Sequence, residues 1–181
     1  MTADEFLEIA DDACFYELVD GIVIMSPSPT PKHQDVAGLI YHLLASFLER
    51  HVVGKAFMET DLHLGKGPTG GDLVYRPDVV FIRQEHLGQL SDRLAGPPDL
   101  VVEVISERSR RFDTQTKKHD YERFGVREYW IIDPQRKAMT FYRLDSGRFV
   151  EVASTGDTFT SQAVPGFVLD LARVRQAFEP W

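Results

Sequence analysis

The chain has 181 residues, of which 43% are apolar and 27% are charged, and its formal net charge is −8. This composition excludes a largely disordered chain and predicts one globular domain over residues 1–181. The negative charge argues against a protein that coats nucleic acid through bulk electrostatics. No apolar run approaches the length of a membrane span, and the N-terminal segment lacks a signal-peptide pattern. The single cysteine, Cys14, excludes an intrachain disulfide, so we expect a cytoplasmic protein without a membrane anchor.

The N-terminal part of the chain predicts a short helix, a hairpin and a long helix. The sequence TADE at 2–5 has a capping-box pattern, which predicts a helix that ends near Ala10. Asp20-Gly21 lies between two apolar runs, which predicts a β-hairpin. Apolar residues recur at helical spacing over 32–51, which predicts an amphipathic helix.

The rest of the chain predicts mainly strands. They are expected at 55–64, 73–82, 99–106, 127–133, 139–144 and 148–153, with a connector between the second and the third. Helices are expected over about 109–124, where Gly125 would end the helix, and over 170–178. This order indicates an α/β (α+β) fold, in which helices flank a mixed β-sheet with an N-terminal hairpin and C-terminal antiparallel strands. The runs at 73–82, 99–106 and 127–133 would form the centre of the sheet.

Two of these buried strand patterns contain a carboxylate where an aliphatic residue is expected. Asp78 lies in RPDVVFI (76–82) and Glu103 lies in PDLVVEVIS (98–106). Burying an unpaired charge is costly, so each acid needs a partner or a function. If the strands are neighbours, both acids can point into one pocket, where Mg²⁺ or Mn²⁺ would offset their repulsion. The alternatives are a turn cap for Asp78 and a structural ion pair for Glu103.

The helix that follows places a lysine on its apolar stripe. Thr114, Lys117, Tyr121 and Phe124 are spaced by 3, 4 and 3 residues, whereas Lys118 is rotated about 100° away. Beside a pair of carboxylates, Lys117 is suited to orient a water molecule or to stabilise charge on a phosphate. The alternative is that Lys117 extends from the edge of the stripe into water.

Basic residues are concentrated around this helix. The segment 107–127 contains seven Lys or Arg against four Asp or Glu, a net charge of about +3. The candidate phosphate contacts are Arg108, Arg110, Arg111 and Lys118. The alternative is an ordinary solvated helix face. Asp99, four residues before Glu103, is the next candidate acid, but it follows Gly96-Pro97-Pro98 and is expected to be structural.

Taken in order, these residues resemble the PD-(D/E)XK nuclease superfamily and, within it, the bacterial Uma-two family of restriction-endonuclease-like proteins. The landmarks are YELVDG (16–21), MSPSP (25–29), His33, RPDVV (76–80), VVEVIS (101–106), the Asp113-to-Lys117 spacing, Tyr121 and GVREYWIID (125–133). Ile105 stands where the superfamily lysine is expected, two residues after the acid, so the resemblance implies that Lys117 replaces it. A smaller departure is Ile22, where many relatives have an acid.

The resemblance implies a Mg²⁺- or Mn²⁺-dependent endonuclease that hydrolyses phosphodiester bonds of DNA. Asp78, Glu103 and the backbone carbonyl of Val104 would bind the metal, and Lys117 would assist the attacking water. Glu17 and His33 match family positions and are expected to be auxiliary residues of the same pocket. A homodimer is expected by analogy. The main alternative is a non-catalytic nuclease-fold module that binds nucleic acid or protein, and a weaker one is hydrolysis of a small phosphate ester.

Overall fold

The computed structural model describes residues 1–9, 16–26, 28–89 and 93–180. Cys14, the predicted helix end at Ala10 and Pro27 of the MSPSP landmark lie outside these residues. The described strands are β1 (Tyr16–Val19), β2 (Ile22–Met25), β3 (Gly54–Met58), β4 (Leu62–Lys66), β5 (Asp72–Tyr75), β6 (Val79–Arg83), β7 (Leu94–Ala95), β8 (Leu100–Val104), β9 (Glu128–Asp133), β10 (Ala138–Asp145), β11 (Arg148–Glu151), β12 (Thr158–Thr160) and β13 (Val168–Asp170).

Short and long helices flank these strands. They are α1 (Ala3–Ile9), α2 (Pro31–Leu48), a 3-10 turn (Leu87–Gln89), a π-helix (Phe112–Lys117), α3 (Lys118–Phe124) and α4 (Leu171–Gln176). The predicted capping box is present, because the backbone N–H of Thr2 donates to Glu5 Oε2 at 2.8 Å and that of Glu5 donates to Thr2 Oγ1 at 3.2 Å. In the part of the chain that the structure describes, no helix is both long and apolar enough to cross a membrane.

Two mixed sheets carry the fold. The larger sheet has the order β11-β10-β9-β8-β6-β3 and the smaller has the order β2-β1-β5-β4-β7, while β12 and β13 pair with each other. The pairs β8–β9 and β4–β7 are parallel and the other strand pairs are antiparallel. The predicted mixed sheet flanked by helices, with an N-terminal hairpin and C-terminal antiparallel strands, is confirmed.

The larger sheet packs helices on one face and the smaller sheet on the other. Val79 and Phe81 join the core formed with α2 and α4, whereas Val80 and Ile82 join the core shared with the smaller sheet and Tyr121 of α3. This division follows from the alternation of side chains along a strand. The described fold therefore has a helical layer, a central sheet and a second, smaller sheet.

Two predicted strands are each divided between the sheets. The predicted strand 73–82 is wrong as one element: β5 belongs to the smaller sheet and β6 to the larger, with the break at 76–78. Pro77 lies in this break and has no N–H for a ladder hydrogen bond. The predicted strand 55–64 divides in the same way, into β3 and β4. The two crossings lie together, because the backbone N–H of Glu59 donates to the carbonyl of Asp78 at 3.2 Å.

The predicted helix over 109–124 also differs in form. Residues Phe112–Lys117 form a π-helix that continues into α3, and Gly125 ends α3 in the left-handed conformation (φ 87°) as predicted. Two other regions were predicted without strands, the connector at 83–97 and the segment after 153. They contain the short strands β7, β12 and β13.

Candidate active site

Asp78 lies at the point where the chain crosses from the smaller sheet to the larger one. It lies in the bend before β6 and not within a strand, which corrects the sequence interpretation. Its Oδ2 accepts a hydrogen bond from the backbone N–H of Val104 at 2.6 Å, at the end of β8. This hydrogen bond joins the sheet crossing to β8, the strand that contains Glu103. Asp78 is 9% exposed.

Glu103 points from β8 into the core between the two sheets, on the same face as Val101. Its Oε1 accepts hydrogen bonds from Lys117 Nζ at 3.0 Å and from the hydroxyl of Tyr121 at 2.9 Å. The residue is 4% exposed. These contacts agree with the predicted inward stripe that contains Lys117 and Tyr121.

The π-helix holds Lys117 among three carboxylates. Nζ of Lys117 lies 2.8 Å from Glu17 Oε1, 3.0 Å from Glu103 Oε1 and 3.6 Å from Asp113 Oδ1. Lys117 is 4% exposed, so it does not extend into water. A π-helical turn inside a helix is rare and frequently occurs at functional sites. Here the turn directs both Asp113 and Lys117 into the cluster.

Glu17 reaches this cluster from the hairpin. Its Oε1 also accepts the backbone N–H of Arg76 at 2.9 Å, and its Oε2 accepts the hydroxyl of Ser26 at 3.0 Å. The residue is buried, which excludes an ordinary solvated position on the strand. Glu17 thereby connects the hairpin, the sheet crossing and the π-helix.

His33 approaches Asp78 from the first turn of α2. The turn is capped by Thr30, whose hydroxyl accepts the backbone N–H of His33 at 3.2 Å. His33 Nε2 lies 3.4 Å from Asp78 Oδ2, and within the described residues its buried Nδ1 has no hydrogen-bond partner. Burial by itself would lower the pKa of His33. The hydrogen bond to Asp78 and the charge of Asp78 raise the pKa by more than burial lowers it, so the pKa of His33 lies above its ordinary value.

These groups line one pocket of about 230 Å³. Its lining includes eight charged residues, five of which form the cluster, together with His33. The five are Glu17, Asp78, Glu103, Asp113 and Lys117. Hydroxyl-bearing residues and apolar residues complete the walls, among them Ser26, Ser106, Ser109, Ile24, Met25 and Phe112. The pocket thus combines a buried acidic cluster with a polar and apolar entrance.

A family model described as "Uma2: Putative restriction endonuclease" matches residues 3–172. The chain belongs to the Uma2 family. A solved structure of similar fold is titled "a putative nuclease belonging to DUF820 from Anabaena variabilis ATCC 29413". It shares 17% sequence identity with this chain, the alignment covers 99% of each chain, and the TM-score is 0.81. No curated protein matches the sequence.

In this Uma2 chain the carboxylates outnumber the cations of the cluster. Burial raises the pKa of Glu103 well above its ordinary value, the charge of Lys117 opposes this rise, and Asp113, Asp78 and Glu17 reinforce it. Burial also raises the pKa of Asp113. Burial alone would lower the pKa of Lys117, but the surrounding carboxylates hold it well above its ordinary value. The ammonium of Lys117 and the imidazole of His33 beside Asp78 do not neutralise four acids, so the cluster favours a further cation or bound protons.

The oxygen-rich cluster has the chemistry that Mg²⁺ and Mn²⁺ prefer. Among the described residues, no three His, Cys, Asp or Glu side chains are placed to hold a metal ion. The ammonium of Lys117 lies where Glu17, Glu103 and Asp113 converge. The donor set therefore fits a divalent cation chemically, provided that Lys117 shifts from its present contacts.

The basic residues proposed from the sequence do not all lie at the pocket. Arg108 is exposed and lines the entrance. Arg110 forms an ion pair with Asp133, and Arg111 donates to the Gln115 side chain at 3.3 Å. Lys118 Nζ lies 3.9 Å from the ring centroid of Tyr142. Arg108 is therefore the member of this set that the geometry places nearest the chemistry.

Of the two further acids near the cluster in sequence, Asp99 lies outside the pocket lining and Asp113 lies inside the cluster. Asp99 accepts the backbone N–H of Arg83 at 2.8 Å and lies 3.1 Å from Arg127 Nε, outside the pocket lining. Its expected structural role agrees with these contacts. Asp113 was noted only through its spacing to Lys117, and the structure places it inside the cluster. The i,i+4 relation to a lysine on the apolar stripe was the available signal.

Proposed function

We propose that this Uma2 protein is a Mg²⁺- or Mn²⁺-dependent endonuclease that hydrolyses phosphodiester bonds of DNA at the Asp78–Glu103–Lys117 cluster. The observation that carries the proposal is the convergence of buried carboxylates on Lys117 at the base of a pocket. A stable fold rarely buries this much uncompensated charge without a ligand that offsets it. Membership of a family whose description is "Putative restriction endonuclease" supports the same chemistry.

In this proposal Asp78, Glu103 and the carbonyl of Val104 hold the metal. Asp78 is already bonded to the backbone N–H of Val104, so the three donors belong to one connected unit. A bound Mg²⁺ would lower the pKa of a water molecule and polarise the phosphoryl oxygen. Glu17, fixed by Arg76 N–H and Ser26, keeps its carboxylate beside the same centre as an auxiliary residue.

Lys117 and His33 act on the substrate side of the cluster. When the Lys117 ammonium shifts away from its carboxylate partners, it stabilises negative charge on the phosphate. His33 lines the pocket and orients Asp78 through Nε2, which lies 3.4 Å from Asp78 Oδ2. Arg108 at the entrance contacts a neighbouring phosphate.

The test is a cleavage assay on plasmid, linear duplex and single-stranded DNA with Mg²⁺, with Mn²⁺ and with EDTA. Wild type is compared with Asp78→Asn and Glu103→Gln, and Glu151→Gln on the exposed edge strand β11 is the control. We expect metal-dependent cleavage that falls by at least about 10³-fold in both site variants, because each removes a group that acts in the transition state. Equal cleavage by all four proteins would overturn the proposal.

The second candidate is a non-catalytic module that binds nucleic acid or protein. The contact between Lys117 and Glu103 favours it, since an ammonium that occupies the cluster could serve structure alone. Metal titration by calorimetry separates the candidates. Binding that Asp78→Asn abolishes supports the enzyme, and no binding together with no cleavage supports the module.

A further inference from the structure

The substrate class of this site follows from how deeply the reacting groups lie. Glu17, Glu103, Asp113 and Lys117 are 3–4% exposed, and Asp78 is 9% exposed. They are reached through a pocket of about 230 Å³, below the roughly 300–1,000 Å³ of ordinary ligand sites. A phosphodiester must therefore enter a narrow concavity before it can contact Asp78 or Glu103.

A DNA duplex is poorly suited to this entry. It is stiff over about 150 base pairs, so a few of its nucleotides cannot bend out of the helix to enter a pocket of this volume. Enzymes that act on a base inside a deep pocket use a single strand or extrude the nucleotide from the duplex, and we infer the same requirement for a phosphodiester that must reach buried carboxylates. The net charge of −8 also penalises a long contact with the dense charge of a duplex more than contact with a single strand.

The pocket walls carry groups that match an unpaired nucleotide. Ile24 lies directly opposite Glu17 in the β1–β2 pair, so the two side chains share the face that points to the cluster. Phe112, at the start of the π-helix, lines the pocket from another element and is half-buried. Apolar and aromatic walls of this kind accept the face of any base without regard to its sequence.

Polar groups on the same lining match the backbone of the strand. Ser28, Ser106 and Ser109 carry hydroxyl groups, and Arg108 carries an exposed guanidinium at the entrance. His33 belongs to the same lining, and its Nε2 lies 3.4 Å from Asp78 Oδ2. These polar side chains are of the kind that contacts phosphate and sugar oxygens.

We propose that this site acts on single-stranded DNA, with one phosphate lowered to the Asp78–Glu103 cluster and an adjacent base packed against Ile24 and Phe112. The proposal rests on the proposed function and names its substrate class. All four residues of β2 are apolar and exposed. Ile24 and Met25 both line the pocket, and contact with bases would account for their exposure, whereas a protein partner along the whole edge would also cover Ile22 and Val23.

The test measures binding of a fluorescent single-stranded oligonucleotide and of the matching blunt duplex by anisotropy. The full chain carries Asp78→Asn in every sample, so that no cleavage occurs in Mg²⁺. We expect the single strand to bind at least about tenfold more tightly than the duplex. Addition of Ile24→Ser or Phe112→Leu should weaken single-strand binding by roughly tenfold, which is the size of one lost base contact, without changing duplex binding.

Val23→Ser is the matched control. Val23 is exposed on the same strand as Ile24, but it is outside the pocket lining and points to the opposite face. It should leave single-strand binding unchanged, and thermal unfolding should show that all variants are folded. Equal losses for Val23→Ser and Ile24→Ser, or a change in mass by light scattering, would overturn the proposal and identify β2 as an interface between copies of the chain.

The outcomes separate this inference from the proposed function. Tighter binding of the duplex, together with metal-dependent cleavage of the duplex by the wild type, would overturn the single-strand inference and leave the endonuclease intact. Pocket-dependent binding of the single strand without any cleavage by the wild type would support the inference for binding and overturn the endonuclease.

Discussion

Two acids on neighbouring central strands, Glu103 of β8 and Glu128 of β9, are both buried but differ in how their charge is compensated. Glu128 accepts hydrogen bonds from the Arg143 guanidinium at 3.3 Å, the Ser161 hydroxyl at 2.8 Å and the backbone N–H of Gln162 at 2.6 Å. Glu103 shares a single ammonium with two other carboxylates. Burial within one sheet therefore does not distinguish the two acids, whereas the shortage of cations around Glu103 makes Glu103 the candidate for a functional acid.

The largest effect is expected when the ammonium itself is removed. Lys117→Met leaves three buried carboxylates without their common partner, which should lower the free energy of unfolding by about 3–5 kcal/mol in EDTA. Excess Mg²⁺ should restore more stability to this variant than to wild type, because the cation then meets no competing ammonium. Urea unfolding with and without Mg²⁺ measures both quantities.

Lys118→Met is the matched control for that experiment. Lys118 is the next residue along the chain, but its ammonium lies over the Tyr142 ring and not in the cluster. Its loss should cost less than about 1 kcal/mol and should not respond to Mg²⁺. If Lys117→Met were as mild as Lys118→Met, the carboxylates would not depend on the ammonium and the comparison with Glu128 would fail.

The second largest effect on stability is expected at Glu128, whose charge is compensated by its hydrogen-bond partners. Glu128→Gln removes the charge that holds Arg143 and the segment at Ser161-Gln162, which should cost about 3 kcal/mol. Mg²⁺ should not restore this stability, since no other carboxylate shares the contacts that Glu128 makes in the described structure. The same urea titrations give the result, and recovery on addition of Mg²⁺ would contradict it.

Comparison of Glu103 with Glu128 also shows which parts of the candidate site could be predicted from the sequence. The carboxylate in an apolar strand pattern identified Glu103, and the helical stripe identified Lys117. The same pattern could not distinguish Glu128, because its partners lie 15–34 residues later in the chain. Asp78 was identified although the predicted strand around it was wrong, since periodicity does not reveal that a chain changes sheets at Pro77.

A smaller effect is expected at a third buried acid, Asp72 of the smaller sheet. Its Oδ2 accepts the backbone N–H of Ala3 at 2.9 Å, and Lys66 Nζ lies 2.8 Å from its Oδ1. The hydrogen bonds from Lys66 and from Ala3 hold the pKa of Asp72 below its ordinary value. Asp72→Asn should therefore lower the free energy of unfolding by about 1 kcal/mol at neutral pH.

The pH dependence of that difference has a definite sign. Because the folded pKa of Asp72 is lowered, its stabilisation is complete above the unfolded pKa of about 3.9 and is lost as the pH falls through the folded pKa. Wild type and Asp72→Asn should thus converge in acid. Unfolding measured from neutral pH downwards tests this, and a difference that persists in acid would mean that the charge of Asp72 is not what stabilises α1.

The smallest effect on stability is expected for Glu103→Gln, and it tests the comparison most directly. The variant removes one excess negative charge, keeps an oxygen that can accept the Tyr121 hydroxyl, and leaves Lys117 with Glu17 and Asp113. Its free energy of unfolding in EDTA should lie within about 1 kcal/mol of wild type or above it, since repulsion among buried carboxylates is relieved. The stabilisation that Mg²⁺ gives wild type should disappear, because a metal donor is lost. A loss as large as that of Glu128→Gln, with no Mg²⁺ response in wild type, would instead make Glu103 a structural acid whose ion pair with Lys117 is its whole function.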